Sequence, residues 1–199
     1  PLEMIKIAIT GGIAAGKTTA TKFFKSKGES YIFNADKISK RHLKKSRNLQ
    51  KKIINIFGED VVSNNQLDLK LLAEKAFSNP TNHKILNGII WPEIFILINN
   101  TFNEEKKKIN KFFVVDAAVI FEANFQNYFD KIILITANKD TRINRAIIRK
   151  NIPLESIQNR ISLQLSDTKK KKMADYIIVN NSDKNKFMDK LEKVYSKLL

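Results

Sequence analysis

The stretch Ile5-Lys6-Ile7-Ala8-Ile9-Thr10-Gly11-Gly12-Ile13-Ala14-Ala15-Gly16-Lys17-Thr18-Thr19 leaves the chain little freedom of architecture. Its apolar start reads as a strand, its end as the opening of a helix, and small residues join them. Gly11, four intervening residues, then Gly16, Lys17 and Thr18 match G-x-x-x-x-G-K-[ST], the phosphate-binding loop. The chemistry needs that spacing. Glycines let backbone N–H groups turn inward onto phosphate oxygens. The helix N-terminus behind the loop favours an anion. Lys17 is suited to the β- and γ-phosphates and the Thr18 hydroxyl to Mg²⁺. The competing reading is a chance loop of small residues. The strand before it and the helix after it weigh against that.

Four more β-prone runs follow: Tyr31 to Phe33, Phe112 to Asp116, Lys131 to Thr136 and Tyr176 to Val179. Helical patterns separate them, so the expected fold is α/β with a five-stranded parallel sheet flanked by helices. In such a sheet the ligand sits at the carboxyl ends of the strands. Asp36 falls there, just past the second strand, and so does Asp116, the acid that closes an apolar run. Asp116 resembles the second nucleotide motif, whose Asp works near Mg²⁺; an ordinary buried strand with a terminal Asp is the alternative. Glu122 gives the same neighbourhood a second acid.

Residues 37–110 contain mainly helical patterns and read as an all-helical insertion between two strands. Residues 37–52 form one basic amphipathic stretch, and Lys40 and Arg41, about a turn beyond Asp36, are placed to face its crevice. A helix spans 67–77, and Asn79-Pro80-Thr81 breaks it. A longer pattern spans 82–108, with a kink or boundary expected at Pro92. Trp91 beside it reads as core rather than as a ligand-stacking residue.

Arg142, Arg145 and Arg149 hold half of the six arginines in a chain that otherwise prefers lysine. Arg145 and Arg149 share a helix face, as do Arg160 and Gln164 on the next segment. Arginine suits forked contacts to phosphoryl oxygens, so the cluster points to function more than to surface ion pairing, Arg142 less so than the others. Lys169 to Lys172 reads mostly as a solvated face. The histidines, His42 and His83, have no companion ligands, and the chain has no cysteine, so thiolate metal sites and disulfides are excluded.

The net charge of +16 admits two readings: an anionic partner, or a lysine-rich composition of the kind an AT-rich genome produces. Nothing resembling an aromatic-rich basic patch supports nucleic acid. The apolar runs are too short for a bilayer and no signal-peptide pattern is present, so no membrane partner and a cytoplasmic location are expected. Pro1-Leu2-Glu3 read as a cloning remnant ahead of Met4.

Taken together, the ordered motifs resemble the dephospho-CoA kinase family. Ile9-Thr10-Gly11-Gly12-Ile13 opens the loop as in that family, Asn34-Ala35-Asp36 is similar to its D-A-D, and Phe57-Gly58 and Trp91-Pro92-Glu93-Ile94 to its F-G and H-P-x-I elements. Asp116 through Glu122 follows its D-x-P-L-L-[FV]-E. Arg145, Arg149, Arg160, Gln164, Lys170, Ala174-Asp175 and Asn180 fall in its later pattern. Ala14 replaces Gly, Asn34 replaces Asp, Trp91 replaces His, and Ala118 and Ser166 replace Pro.

The resemblance implies a P-loop NTPase fold over 4–199. Its core would be 4–36, 111–141 and 174–199, with a helical substrate-binding insertion at about 37–110 and a lid at about 142–168. It implies ATP-dependent phosphorylation of the ribose 3′-hydroxyl of dephospho-CoA. Gly11, Gly12, Ala14, Ala15, Gly16, Lys17, Thr18, Thr19, Arg149 and Asn180 would bind ATP. Asp36 would be the base, with Lys17, Arg145 and Arg149 completing the catalytic group. Asp36, Lys40, Arg41, Asp116, Glu122 and Arg160 would bind substrate, and Thr18 and Asp116 would hold Mg²⁺. A monomer is favoured. Another small-molecule kinase, acting on nucleoside monophosphates, and a nucleic-acid-stimulated ATPase are the alternatives.

Overall fold

The computed structural model describes residues 3–150 and 153–199, apart from the side chains of Arg149 and Lys150. The leading Pro1-Leu2 lies outside that description. Strand β1 (Ile5–Thr10) runs into the phosphate loop, and helix α1 (Lys17–Ser26) leaves it. Strand β2 (Ser30–Asn34) follows, then α2 (Ala35–Lys45), α3 (Arg47–Phe57), a hairpin of β3 (Val62–Ser63) and β4 (Gln66–Leu67), α4 (Leu69–Ala76) and α5 (Pro80–Glu105). The chain returns as β5 (Phe112–Asp116), β6 (Lys131–Thr136), α6 (Lys139–Lys150), α7 (Leu154–Ser162), α8 (Asp167–Lys171), β7 (Tyr176–Val179) and α9 (Lys184–Ser196).

The five long strands form one sheet in the order β2-β5-β1-β6-β7, with every pair parallel. β1 is central, so the loop that leaves its carboxyl end sits between the ends of β5 and β6. Residues alternate across the sheet. Ile7, Ile9, Phe112, Val114, Ile133 and Ile135 pack against α1 and α9 on one face. Ala8, Phe113, Val115 and Ile132 pack against Trp91, Ile94 and Ile98 of α5 on the other. Trp91 is core, as its pattern suggested, and stacks on Phe125 with ring centroids 5.4 Å apart.

The insertion has an apolar cluster of its own, Leu43, Leu49, Ile53, Phe57, Val61, Leu72 and Ile89. It differs from the sequence reading in four respects. The basic stretch is two helices, because Ser46 ends α2 and its Oγ accepts the Leu49 N–H at 3.3 Å to cap α3. The insertion is not all-helical, since β3 and β4 pair. Pro80 does separate two helices, but as the first residue of α5, ahead of the expected start at 82, with Asn79 as its cap. Helix α5 also continues through Pro92. The carbonyl deprived of a donor there is that of Gly88, an exposed residue, so it can tilt outward to water.

That continuity has a second effect. Helix α5 is long and apolar enough, by length and composition, to cross a bilayer. The short uninterrupted runs of the sequence did not suggest this. In the fold it is instead the helix whose Trp91, Ile94 and Ile98 close one face of the sheet.

Candidate active site

The phosphate loop is held from several sides. Ala14 takes φ 55° and Gly16 takes φ 118°, so the chain turns sharply into α1. Gly16 has no room for a side chain, because a Cβ there would lie 2.4 Å from Nδ2 of Asn180. Asn180 follows β7. Its backbone N–H donates to the Thr136 carbonyl at 2.7 Å, and its side-chain amide donates to the Ala15 carbonyl at 2.8 Å. Arg145 Nη1 donates to the Asn180 carbonyl at 3.1 Å. A cavity of about 340 Å³ opens beside these residues, lined in part by Ala14, Gly16, Thr19, Arg145, Asn180 and Phe187. Asn180 and Arg145 are thus walls of a cavity next to the loop.

The other side of the loop meets α6 and α7. Ile13 is buried with Ala146 and Ile157. A Cβ on Gly12 would fall 1.9 Å from Nη1 of Arg142 and 3.5 Å from Oε1 of Gln164. Arg142 is buried and 3.7 Å from Asp167 Oδ2. Sequence reasoning ranked Arg142 lowest of its cluster, yet this is the arginine that touches the loop. Its spacing from Gly12 in the chain carries no signal of that contact. The Arg149 side chain lies outside the described residues.

The acids gather at the ends of β2 and β5. Asp36 is exposed in the first turn of α2, not at the end of β2 itself; Asn34 ends the strand and caps the helix by accepting the Lys37 N–H at 2.8 Å. Asn34 Nδ2 also donates to Asp116 Oδ2 at 3.1 Å. Burial pushes the Asp116 carboxyl up to about 6, with Lys17 opposing and Asp36 reinforcing the shift. These three charged groups therefore share one electrostatic neighbourhood. Lys17 Nζ donates to the Gly11 carbonyl at 3.0 Å, and Thr18 is exposed at the start of α1. Exposed Thr18 and the carboxylate of Asp116, within electrostatic range of Asp36, are the groups here that suit a hard cation keeping several waters.

The remaining candidates fall into two groups. Lys40 is exposed on α2, and Arg41 is close enough for its charge to act on the Tyr31 hydroxyl, at the start of β2, away from the strand ends. Glu122 is engaged internally. Its Oε1 accepts the Leu165 N–H at 2.9 Å and lies 2.8 Å from Nζ of Lys170. Lys170 is wholly buried, so the lysine run is not solvated at that position. Arg160 sits over the ring of Phe77, with Cζ 4.8 Å from its centroid.

With this geometry in place, comparison with known proteins is decisive. The profile described as Dephospho-CoA kinase matches residues 5–186. The chain belongs to the dephospho-CoA kinase family. A dephospho-CoA kinase of Fusobacterium nucleatum is 34% identical, over 96% of this chain and 97% of that relative. The solved dephospho-CoA kinase of Campylobacter jejuni superposes with TM-score 0.67 at 28% identity, covering 97% of this chain and 96% of that one. The protein TT1252 of Thermus thermophilus has TM-score 0.81 at 24% identity and covers 99% of each chain, a likeness of fold. The kinase is an ATP-dependent phosphotransferase, and the central β1 carries its donor loop in the P-loop fold.

Proposed function

We propose that the kinase transfers the γ-phosphoryl group of ATP to the ribose 3′-hydroxyl of dephospho-CoA, giving CoA and ADP, with Asp36 as the base. The observation that carries this is the convergence of Lys17, Asp36 and Asp116 at the ends of adjacent strands. One group there suits a phosphate and another a hydroxyl proton. Backbone N–H groups of Gly11, Gly12, Ala14, Ala15 and Gly16 and the α1 N-terminus hold the phosphates. Thr19, Arg145 and Asn180 line the side that takes the nucleoside of ATP. Asp36 accepts the proton as the 3′-oxygen attacks phosphorus and the bond to ADP breaks, a role that contributes about 10²–10⁴-fold.

Thr18 and Asp116 would hold Mg²⁺, which supplies charge neutralisation across the β- and γ-phosphates. As the lid closes, Arg145, which otherwise holds the Asn180 carbonyl, and Arg149 move over the phosphates and balance the charge spread over the group in transit. Lys40 or Arg41 binds the substrate's pyrophosphate. Residues 37–110 and 142–168 act as substrate subdomain and lid, and their closure on the core keeps water from the transferred group.

The test is ADP release from ATP in the presence of dephospho-CoA, of AMP, and of RNA or DNA. Stimulation by dephospho-CoA alone is expected. Stimulation by nucleic acid without a response to dephospho-CoA would overturn the reading.

A further inference from the structure

The acceptor carries a purine, and the nucleotide loop does not account for where that purine goes. The cluster of Phe77, His83 and Arg160 lies outside the phosphate loop and comes from three elements. Phe77 ends α4, His83 stands in the first turn of α5, and Arg160 is on α7. The Phe77 ring is partly exposed. The His83 ring tilts against it at 34° with centroids 5.5 Å apart, and the Arg160 guanidinium covers it. Among the described residues Arg160 has no carboxylate within ion-pair reach.

The cluster borders the crevice. Arg160, in the last turn of α7, precedes by four residues Gln164, which lies just past the helix end and approaches Gly12 of the loop. His83 lies within electrostatic range of Glu122, and Glu122 binds the backbone of Leu165. The cluster therefore stands beside the 164–165 segment, whose Gln164 approaches the phosphate loop at Gly12.

We propose that Phe77 is the stacking platform for the adenine of the acceptor, with Arg160 as its displaceable cover; this rests on dephospho-CoA being the acceptor. A guanidinium is flat and stacks on aromatic faces. A purine can take the same place on the ring, and base–aromatic stacking is worth about 1–3 kcal/mol. Arg160, once displaced, carries an unpaired charge into a crevice that receives phosphates. The pantetheine arm is flexible and has no flat face, so it gains little from this ring. The platform thus recognises the nucleoside half of the acceptor.

The test measures binding with a non-hydrolysable ATP analogue saturating the donor site. Two ligands are compared: dephospho-CoA and 4′-phosphopantetheine, which lacks adenosine. Phe77→Leu is expected to weaken dephospho-CoA about tenfold, equivalent to about 1.4 kcal/mol, and to change 4′-phosphopantetheine less than about twofold. Equal weakening of both ligands, or of neither, would overturn the platform. Phe77→Trp keeps the ring and does not depend on the tolerance of that site for Leu. Its added fluorescence, read against the wild type with Trp91 alone, should be quenched by dephospho-CoA and not by 4′-phosphopantetheine; no selective quench counts against the proposal. Failure of the wild type to phosphorylate dephospho-CoA would instead remove the acceptor assignment.

Discussion

Asn34 joins a helix cap to an acid: one side-chain atom accepts the Lys37 N–H, and the other donates to Asp116 Oδ2 at 3.1 Å. This amide stands where the family's motif has a carboxylate. It offers Asp116 a donor without adding a like charge. Asp116 must be ionised to serve a cation, so activity should fall as pH drops through about 6. Asn34→Asp places a second negative charge beside it and should push that acid limb to higher pH. The pH dependence of kcat/KM measures this, and an unmoved limb would show that Asp116 does not control it.

Asp116 also costs stability. Its folded carboxyl titrates near 6 against an ordinary 3.8, so between those values the folded state binds more protons than the unfolded state. The group's contribution is most favourable below about pH 4 and declines as pH rises through 6. The loss is on the order of 3 kcal/mol. Asp116→Asn should therefore raise Tm at pH 7 while lowering turnover, and the gain should vanish toward pH 4 in thermal scans.

Lys17 and Asp36 divide donor binding from chemistry. Lys17→Ala and Asp36→Asn should both abolish turnover. Calorimetric titration should show a serious loss of ATP affinity only in the Lys17 variant. Wild-type-like turnover by Asp36→Asn would remove the general-base role.

Ala14 carries a left-handed backbone, φ 55°, where the family usually has Gly. For a residue with a Cβ that conformation costs roughly 1–2 kcal/mol. Glycine relieves it but loses about 0.4–1 kcal/mol through its freer unfolded chain. Ala14→Gly should thus leave stability equal or raise it by up to about 1.6 kcal/mol, with ATP affinity unchanged. Urea unfolding and ATP titration test both halves. A marked destabilisation would show that the loop conformation differs from this one.

Glu122 and Lys170 form a buried pair whose members depend on each other. Glu122→Gln or Lys170→Met alone should destabilise the fold by about 3–5 kcal/mol, since each leaves the other charge unpaired. The double variant Glu122→Gln/Lys170→Met should recover much of that loss. A double-mutant cycle by denaturant unfolding gives the coupling.

The phosphate loop, the five strands and Asp36 were legible in the sequence because each is a local pattern. Buried parallel strands are continuous apolar runs, and the loop is a fixed spacing. What escaped depended on pairings between distant segments. Lys170 looks like its lysine neighbours until Glu122 is brought beneath it. Arg142 gains its meaning only when α6 meets Gly12. Ser46 hid its cap within a basic run, and at Pro92, where a kink or a boundary was expected, there is no boundary because α5 runs through it. Glu122, read as a substrate contact, is occupied in holding Leu165 and Lys170.

The wall that Asn180 builds has a consequence for synthesis. Its bond to Ala15 spans 165 residues of chain. A ribosome exposes the complete glycine-lysine signature well before the residue that braces it, because the chain emerges from its N-terminal side. A product cut short before β7 would display the whole motif and still lack a finished nucleotide pocket.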